Sequence, residues 1–103
     1  MESISGIYAI CNTKTGEAYV GMARYFMMRA KDHRSALDRG VHHNRALQAA
    51  WTTDGATVFT LLLLRRYTWR ELPLAEKRWL ARARVAGVVL YNDQVRRGRK
   101  QAA

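Results

Sequence analysis

Gly6-Ile7-Tyr8-Ala9-Ile10-Cys11, then Asn12-Thr13-Lys14-Thr15-Gly16, then Glu17-Ala18-Tyr19-Val20-Gly21 is the stretch on which the reading of the whole chain turns. Ile, Tyr and Val dominate its two flanks, while Asn, Thr and Gly fill the middle, the chemistry of two strands joined by a turn. Working outward from this hairpin, Phe26, Ala30, His33 and Leu37 recur at helical spacing within Tyr25 to Arg39, and Gly40 follows where a left-handed cap belongs. A second helical pattern runs from Asn44 to Trp51 with Leu47, Ala50 and Trp51, and Asp54-Gly55 breaks it. The apolar run Val58 to Leu64 reads as a buried third strand. Pro73 suits the first turn of a helix that carries Glu76, Trp79, Leu80 and Ala83 along one stripe and stops near Gly87. The order is ββααβα, with a short apolar stretch, Val88 to Tyr91, before a basic end.

A chain of 103 residues is one domain's worth, and 49% hydrophobic against 25% charged residues is the balance of a globule. Such a chain buries roughly 65% of the surface it exposes when unfolded, enough for one core without disulfides, and the lone Cys11 could not form one. The expected setting is therefore intracellular, the cytoplasm. No run approaches the ~20 apolar residues of a membrane span, so no membrane partner is expected. Eighteen Lys plus Arg against eight Asp plus Glu give a formal charge of +10, with a pI near 10.7. That excess points to a polyanion, nucleic acid above all. It is also segmental: residues 24 to 45 carry six basic against two acidic side chains, and residues 65 to 84 carry seven against two. Residues 1 to 95 read as the domain. Residues 96 to 103, with Arg96, Arg97, Arg99 and Lys100, read as a disordered tail that orders on phosphate. Charge alone does not separate an enzyme from a basic scaffold.

Several side chains carry chemistry, each with a plainer reading beside it. Glu76 has Leu72 and Pro73 before it and Trp79 and Leu80 after it at helical spacing, so it lies on the apolar stripe with no cation at i±3 or i±4. A carboxylate there needs a partner, and a divalent metal would serve. An acid near a helix N-terminus, favoured by the macrodipole, explains it equally well. Arg29 and His33 share a helix face and can meet one phosphate together. Taken alone, though, Arg29 is better explained by an i,i+3 ion pair with Asp32. Tyr8 and Tyr19 pass for ordinary amphipathic strand residues. His33, His42 and His43 match no structural zinc spacing and have no Cys pair beside them, and His43 reads as exposed.

Together these residues resemble a known family. Gly6-Ile7-Tyr8 and Tyr19-Val20-Gly21, ten residues apart, are similar to the signature pair of the GIY-YIG nucleases. The resemblance continues through Arg29, His33, His42, Asn44, Leu47-Gln48-Ala49-Ala50-Trp51, Glu76 with Trp79, and Asn92, covering about residues 5 to 92. The stretch from His42 to Phe59 looks most like the catalytic domains of phage-type homing endonucleases. The resemblance implies an α/β fold, a three-stranded antiparallel sheet flanked by helices. It implies a metal-dependent DNA endonuclease with one Mg²⁺ or Mn²⁺ per active site, held by Glu76, and with Arg29 stabilising the transition state. Tyr8 would activate the attacking water, Tyr19 position it, and His33 stand beside Arg29 at the catalytic phosphate. Service of Tyr8 as a base requires its pKa of about 10 to fall by ~2 to 3. His42 would contact phosphate or relay a proton, and Asn44 and Arg24, with the tail's Arg96, Arg97, Arg99 and Lys100, would contact DNA. Gly6, Gly21 and Asn92 would brace the site.

Met22, directly after the second triplet, departs from the usual small polar residue, and Arg24-Tyr25-Phe26 leaves the first helix without a good N-cap. Only about ten residues follow Asn92, where homing-type relatives carry a DNA-recognition region. Weak sequence preference is therefore expected, with specificity supplied by a protein partner or a homodimer, and one strand cut per site. The competing class is a structure-selective nucleic-acid-binding module of the same fold without catalysis, or an RNA-scaffold protein.

Overall fold

The structure, a computed structural model, describes residues 3–94. The expected basic tail, with Arg96, Arg97, Arg99 and Lys100, lies outside the described residues. Strands β1 (Gly6–Asn12) and β2 (Ala18–Ala23) form the hairpin, followed by α1 (Phe26–Arg39), α2 (Arg45–Asp54), a 3₁₀ turn, β3 (Phe59–Arg66) and α3 (Leu72–Val85). The sheet is antiparallel throughout with the order β2-β1-β3, so the first strand is central and buried from Gly6 to Ile10.

Alternation along β1 sends its side chains to two cores. Ile7 and Ala9 pack with Val20, Leu72, Ala75 and Leu90 under α3, with Trp79 and Leu80 half-buried at the margin. Tyr8 and Ile10 face α1 and α2, packing with Ala23, Leu37, Leu47 and Tyr91. Each face of one strand thus anchors one helical layer, and Tyr8 points into the α1–α2 side.

The helix ends follow local chemistry. Gly40 caps α1 in the left-handed conformation, φ 77°, a backbone state that costs glycine little. Tyr25 provides no side-chain cap, as its identity foretold, and the chain compensates by giving the Phe26 N–H to the Ile4 carbonyl at 2.8 Å. Asn44 caps α2 by accepting the Leu47 N–H.

The third strand corrects the expectation of burial: Leu61 and Leu62 are exposed, because β3 sits at the sheet's edge. Residues 88–91 also do more than end a helix. Leu90 bridges Ala18 in parallel, the Ala18 N–H donates to the Val89 carbonyl, and a helical turn follows over 91–94. This segment covers the free edge of β2. Among the described residues no helix is long and apolar enough to cross a membrane.

Candidate active site

The two glycine-tyrosine triplets meet because Tyr8 stands directly opposite Gly21 in the β1–β2 register. A Cβ on Gly21 would lie 2.5 Å from the Tyr8 hydroxyl and 2.6 Å from its Cζ, so the phenol occupies the space a side chain would take. A Cβ on Gly6 would strike the Arg65 carbonyl oxygen, so this glycine lets β3 close on β1. Both glycines act by what they lack, one making room for the Tyr8 ring and the other for β3.

The Tyr8 ring is 1% exposed, and its oxygen lies 2.5 Å from His33 Nε2. His33 Nδ1 is 2.7 Å from His42 Nε2, and His42 Nδ1 accepts the Asn44 backbone N–H at 3.0 Å. Burial first, and then neighbouring positive charge, push both imidazoles down to about 4, so both are neutral at pH 7. A neutral imidazole carries one proton, and a backbone N–H can only donate. His42 must therefore hold its proton on Nε2 and give it to His33 Nδ1. His33 must then hold its own on Nε2 and donate to the Tyr8 oxygen. One backbone amide thereby orients the whole chain, leaving the Tyr8 O–H to point away from the histidines.

Arg29, on α1 one turn before His33, lies beside the Tyr8 hydroxyl, and its charge bears on both phenols. The i,i+3 ion pair with Asp32 does not form: among the described residues Arg29 is in no salt bridge. Glu76 comes from α3 with the Met22 backbone N–H near its carboxylate, and burial raises its pKa. Its negative charge helps to lift both Tyr8 and Tyr19. The structure thus brings together Tyr8, Tyr19, Arg29, His33 and Glu76 from β1, β2, α1 and α3.

The phenols run against the expected direction. Burial drives Tyr8 up to about 12, with Tyr19 adding to the rise and Arg29 only partly offsetting it. Tyr19 is likewise raised by burial. In this protein alone, neither is poised to ionise.

Two expected DNA contacts are reassigned. Asn44 is 1% exposed, with its side chain accepting from Leu47 N–H and donating to the Tyr91 carbonyl. His42 is buried with both ring nitrogens bonded. Both side chains are turned inward: His42 bonds His33 directly, and the Asn44 backbone N–H holds His42. Asn92 braces the opposite side, accepting the Val20 N–H at 2.9 Å and donating to its carbonyl at 2.7 Å. Arg24 is exposed beside Tyr25 and Trp69. His43 is exposed, as expected, yet it stacks on His42 with ring centroids 4.4 Å apart and lies 3.3 Å from the Tyr19 hydroxyl. Its only signal in the sequence is adjacency to His42, because the loop after Gly40 has no periodicity to reveal which way it faces.

No group of three or more His, Cys, Asp or Glu among the described residues is arranged to hold a metal. Glu76 stands apart from such groups: it is a half-buried carboxylate with no cation within salt-bridge distance among the described residues. That fits a hydrated Mg²⁺, which binds through one or two carboxylates and completes its shell with water and phosphate.

No protein-family model matches the chain. Over 73 residues, 71% of its length, it is 34% identical to intron-associated endonuclease 1 of Enterobacteria phage T4, of which it spans 29%. The solved catalytic domain of the homing endonuclease I-TevI superposes with a TM-score of 0.71 at 31% identity, covering 76% of this chain and 86% of that domain. A second structure of that domain, bearing a glutamate-to-alanine substitution, gives the same TM-score and identity over 77% of this chain and 82% of its own. With the paired triplets on neighbouring strands and the fold shared at this level of identity, the chain belongs to the GIY-YIG endonuclease family.

Proposed function

We propose that this chain is a divalent-metal-dependent endonuclease that hydrolyses DNA phosphodiester bonds, cutting one strand per active site with little sequence preference of its own. The observation that carries this reading is the Tyr8 phenol, held by the His33 N–H with the Arg29 and Glu76 charges close by. The names of its relatives, an intron-associated endonuclease and a homing endonuclease's catalytic domain, support DNA as the substrate.

Arg29 presents a planar, permanently charged fork to the phosphoryl oxygens, where negative charge builds in the transition state. Tyr8 accepts from His33 and turns its O–H to the cleft, so it orients the attacking water as a neutral phenol. The fixed His33 N–H and Arg29 stand ready to stabilise the phenolate if the proton leaves. Tyr19, beside His43, lines the cleft and positions the same water. Glu76 would hold the Mg²⁺ or Mn²⁺. Such an ion, when bound, neutralises the phosphoryl group and favours deprotonated water. Affinity comes from phosphate contacts, Arg24 and the tail's Arg96, Arg97, Arg99 and Lys100 among them, and falls steeply with salt. A partner protein or a homodimer supplies specificity and the second cut, in the cytoplasm of a bacterial or phage-infected cell.

The test is conversion of supercoiled plasmid to open circle by the parent chain in Mg²⁺, with EDTA and Arg29→Ala as controls. The reading requires nicking by the parent that both controls abolish. Binding without nicking in any sample would instead favour the non-catalytic module of the same fold.

A further inference from the structure

Beside the cleft, five exposed residues that the mechanism leaves unused, or uses only for charge, form a second surface. Arg24 and Tyr25 end the hinge between β2 and α1, and Met28 lies one turn along α1. With Met22, Arg29 and Asp32 these residues line a hollow of about 310 Å³. Arg29 and Asp32 are shared with the hollow that holds His33, His42 and His43, so the two adjoin along two side chains. Across from Arg24 stands Trp69, in the turn between β3 and α3, 50% exposed. The Arg24 guanidinium is 4.7 Å from the Trp69 ring centroid and 5.6 Å from that of Tyr25, and Arg70 is 5.2 Å from Trp69.

The turn that displays Trp69 is pinned. The Glu71 carboxylate accepts both the Thr68 N–H at 2.9 Å and the Thr68 hydroxyl at 2.8 Å. Trp69 and Arg70 therefore project from a rigid tip. Tryptophan carries the largest apolar surface of any side chain, and here half of it is left in water between cations.

The geometry points to this surface as a stacking platform for an unpaired nucleotide of the DNA next to the cut phosphate, so that the favoured substrate is duplex bearing a single-stranded flank. The inference rests on the nuclease reading and names its substrate structure. Bases inside a duplex already stack on one another and leave no face for Trp69. A splayed base offers its face, and its phosphates meet Arg24 and Arg70. Any base will serve, which agrees with weak sequence preference.

The experiment compares Glu76→Gln protein, which keeps the platform, on a fluorescent blunt duplex and on the same duplex with a short unpaired flap. The flapped DNA should bind more tightly. Adding Trp69→Ala should weaken flap binding by about 5- to 100-fold, the loss of one stacked base, and weaken blunt binding several-fold less. Trp69→Phe should retain most of the preference. Flapped DNA should quench a component of the tryptophan emission that is absent in Trp69→Phe. Equal losses on both DNAs, or equal affinity of the Glu76→Gln protein for both, would overturn the platform. If the parent nicks plasmid while the preference is missing, the platform alone has failed. If the parent cleaves nothing, the nuclease reading fails and the binding comparison still decides the platform.

Discussion

Replacing Gly21 by Ala puts the site's geometry to a quantitative test. The new Cβ would sit 2.5 Å from the Tyr8 hydroxyl, where ordinary contact begins at 3.4 Å, so the phenol must retreat by about 0.9 Å. Tyr8 is 1% exposed and ringed by Phe26 and His33, so it has no slack in which to do so. Overpacking of this kind costs about 1 to 3 kcal/mol, which in a domain this size lowers Tm by roughly 5 to 20 °C. The same displacement pulls the hydroxyl from His33 and Arg29. Misplacement of a positioning group by about 1 Å costs on the order of 10²-fold in rate. Thermal melting by circular dichroism reads the first effect, and single-turnover nicking at saturating DNA reads the second. Adding Tyr8→Phe removes the closest clash but leaves Cζ at 2.6 Å, so the double variant should recover only part of the stability and none of the rate. A Gly21→Ala protein that melts with the parent and nicks at a comparable rate would show that Tyr8 does not need its place above Gly21.

Acid should destabilise the fold through the histidine chain. His33 and His42 titrate near 4 when folded and near 6.5 when unfolded, so the unfolded chain binds more protons between these values, and stability falls as pH drops from 6.5 towards 4. Each tenfold difference in proton affinity between the two states is worth about 1.4 kcal/mol, and after discounting for mutual repulsion and solvent access the pair contributes ~2 to 3 kcal/mol. Urea midpoints between pH 7 and 4.5 measure this, and a slope that His42→Asn leaves unchanged would contradict it. Tyr8→Phe should cost about 1 to 3 kcal/mol by stranding the His33 N–H, and should slow nicking far more than it weakens DNA binding. Asn92→Ala removes two hydrogen bonds to Val20 and should cost roughly 1 to 3 kcal/mol in a urea titration.

Element order and the paired triplets were legible because they are local: strand composition, a turn, helical spacing, and glycines before and after tyrosines. Burial of β3 was not legible, because Val58 to Leu64 reads the same at a sheet's centre and at its edge, and only the order β2-β1-β3 decides between them. Asn44 and His42 announced polar chemistry but not its direction. Their side chains turn inward because the loop after Gly40 folds back under α1, a tertiary fact with no periodic signature. The direction in which the Tyr8 pKa moves also needed coordinates, since Arg29 and burial oppose one another and burial prevails.

The most direct measurement is the single-turnover cleavage rate of Glu76→Gln at saturating DNA and Mg²⁺, beside its DNA affinity. Removing the one carboxylate charge beside the phenols should lower the rate by at least about 10²-fold while affinity holds within a few-fold, because phosphate contacts supply the binding. Parent-like cleavage by Glu76→Gln would contradict the account at its centre.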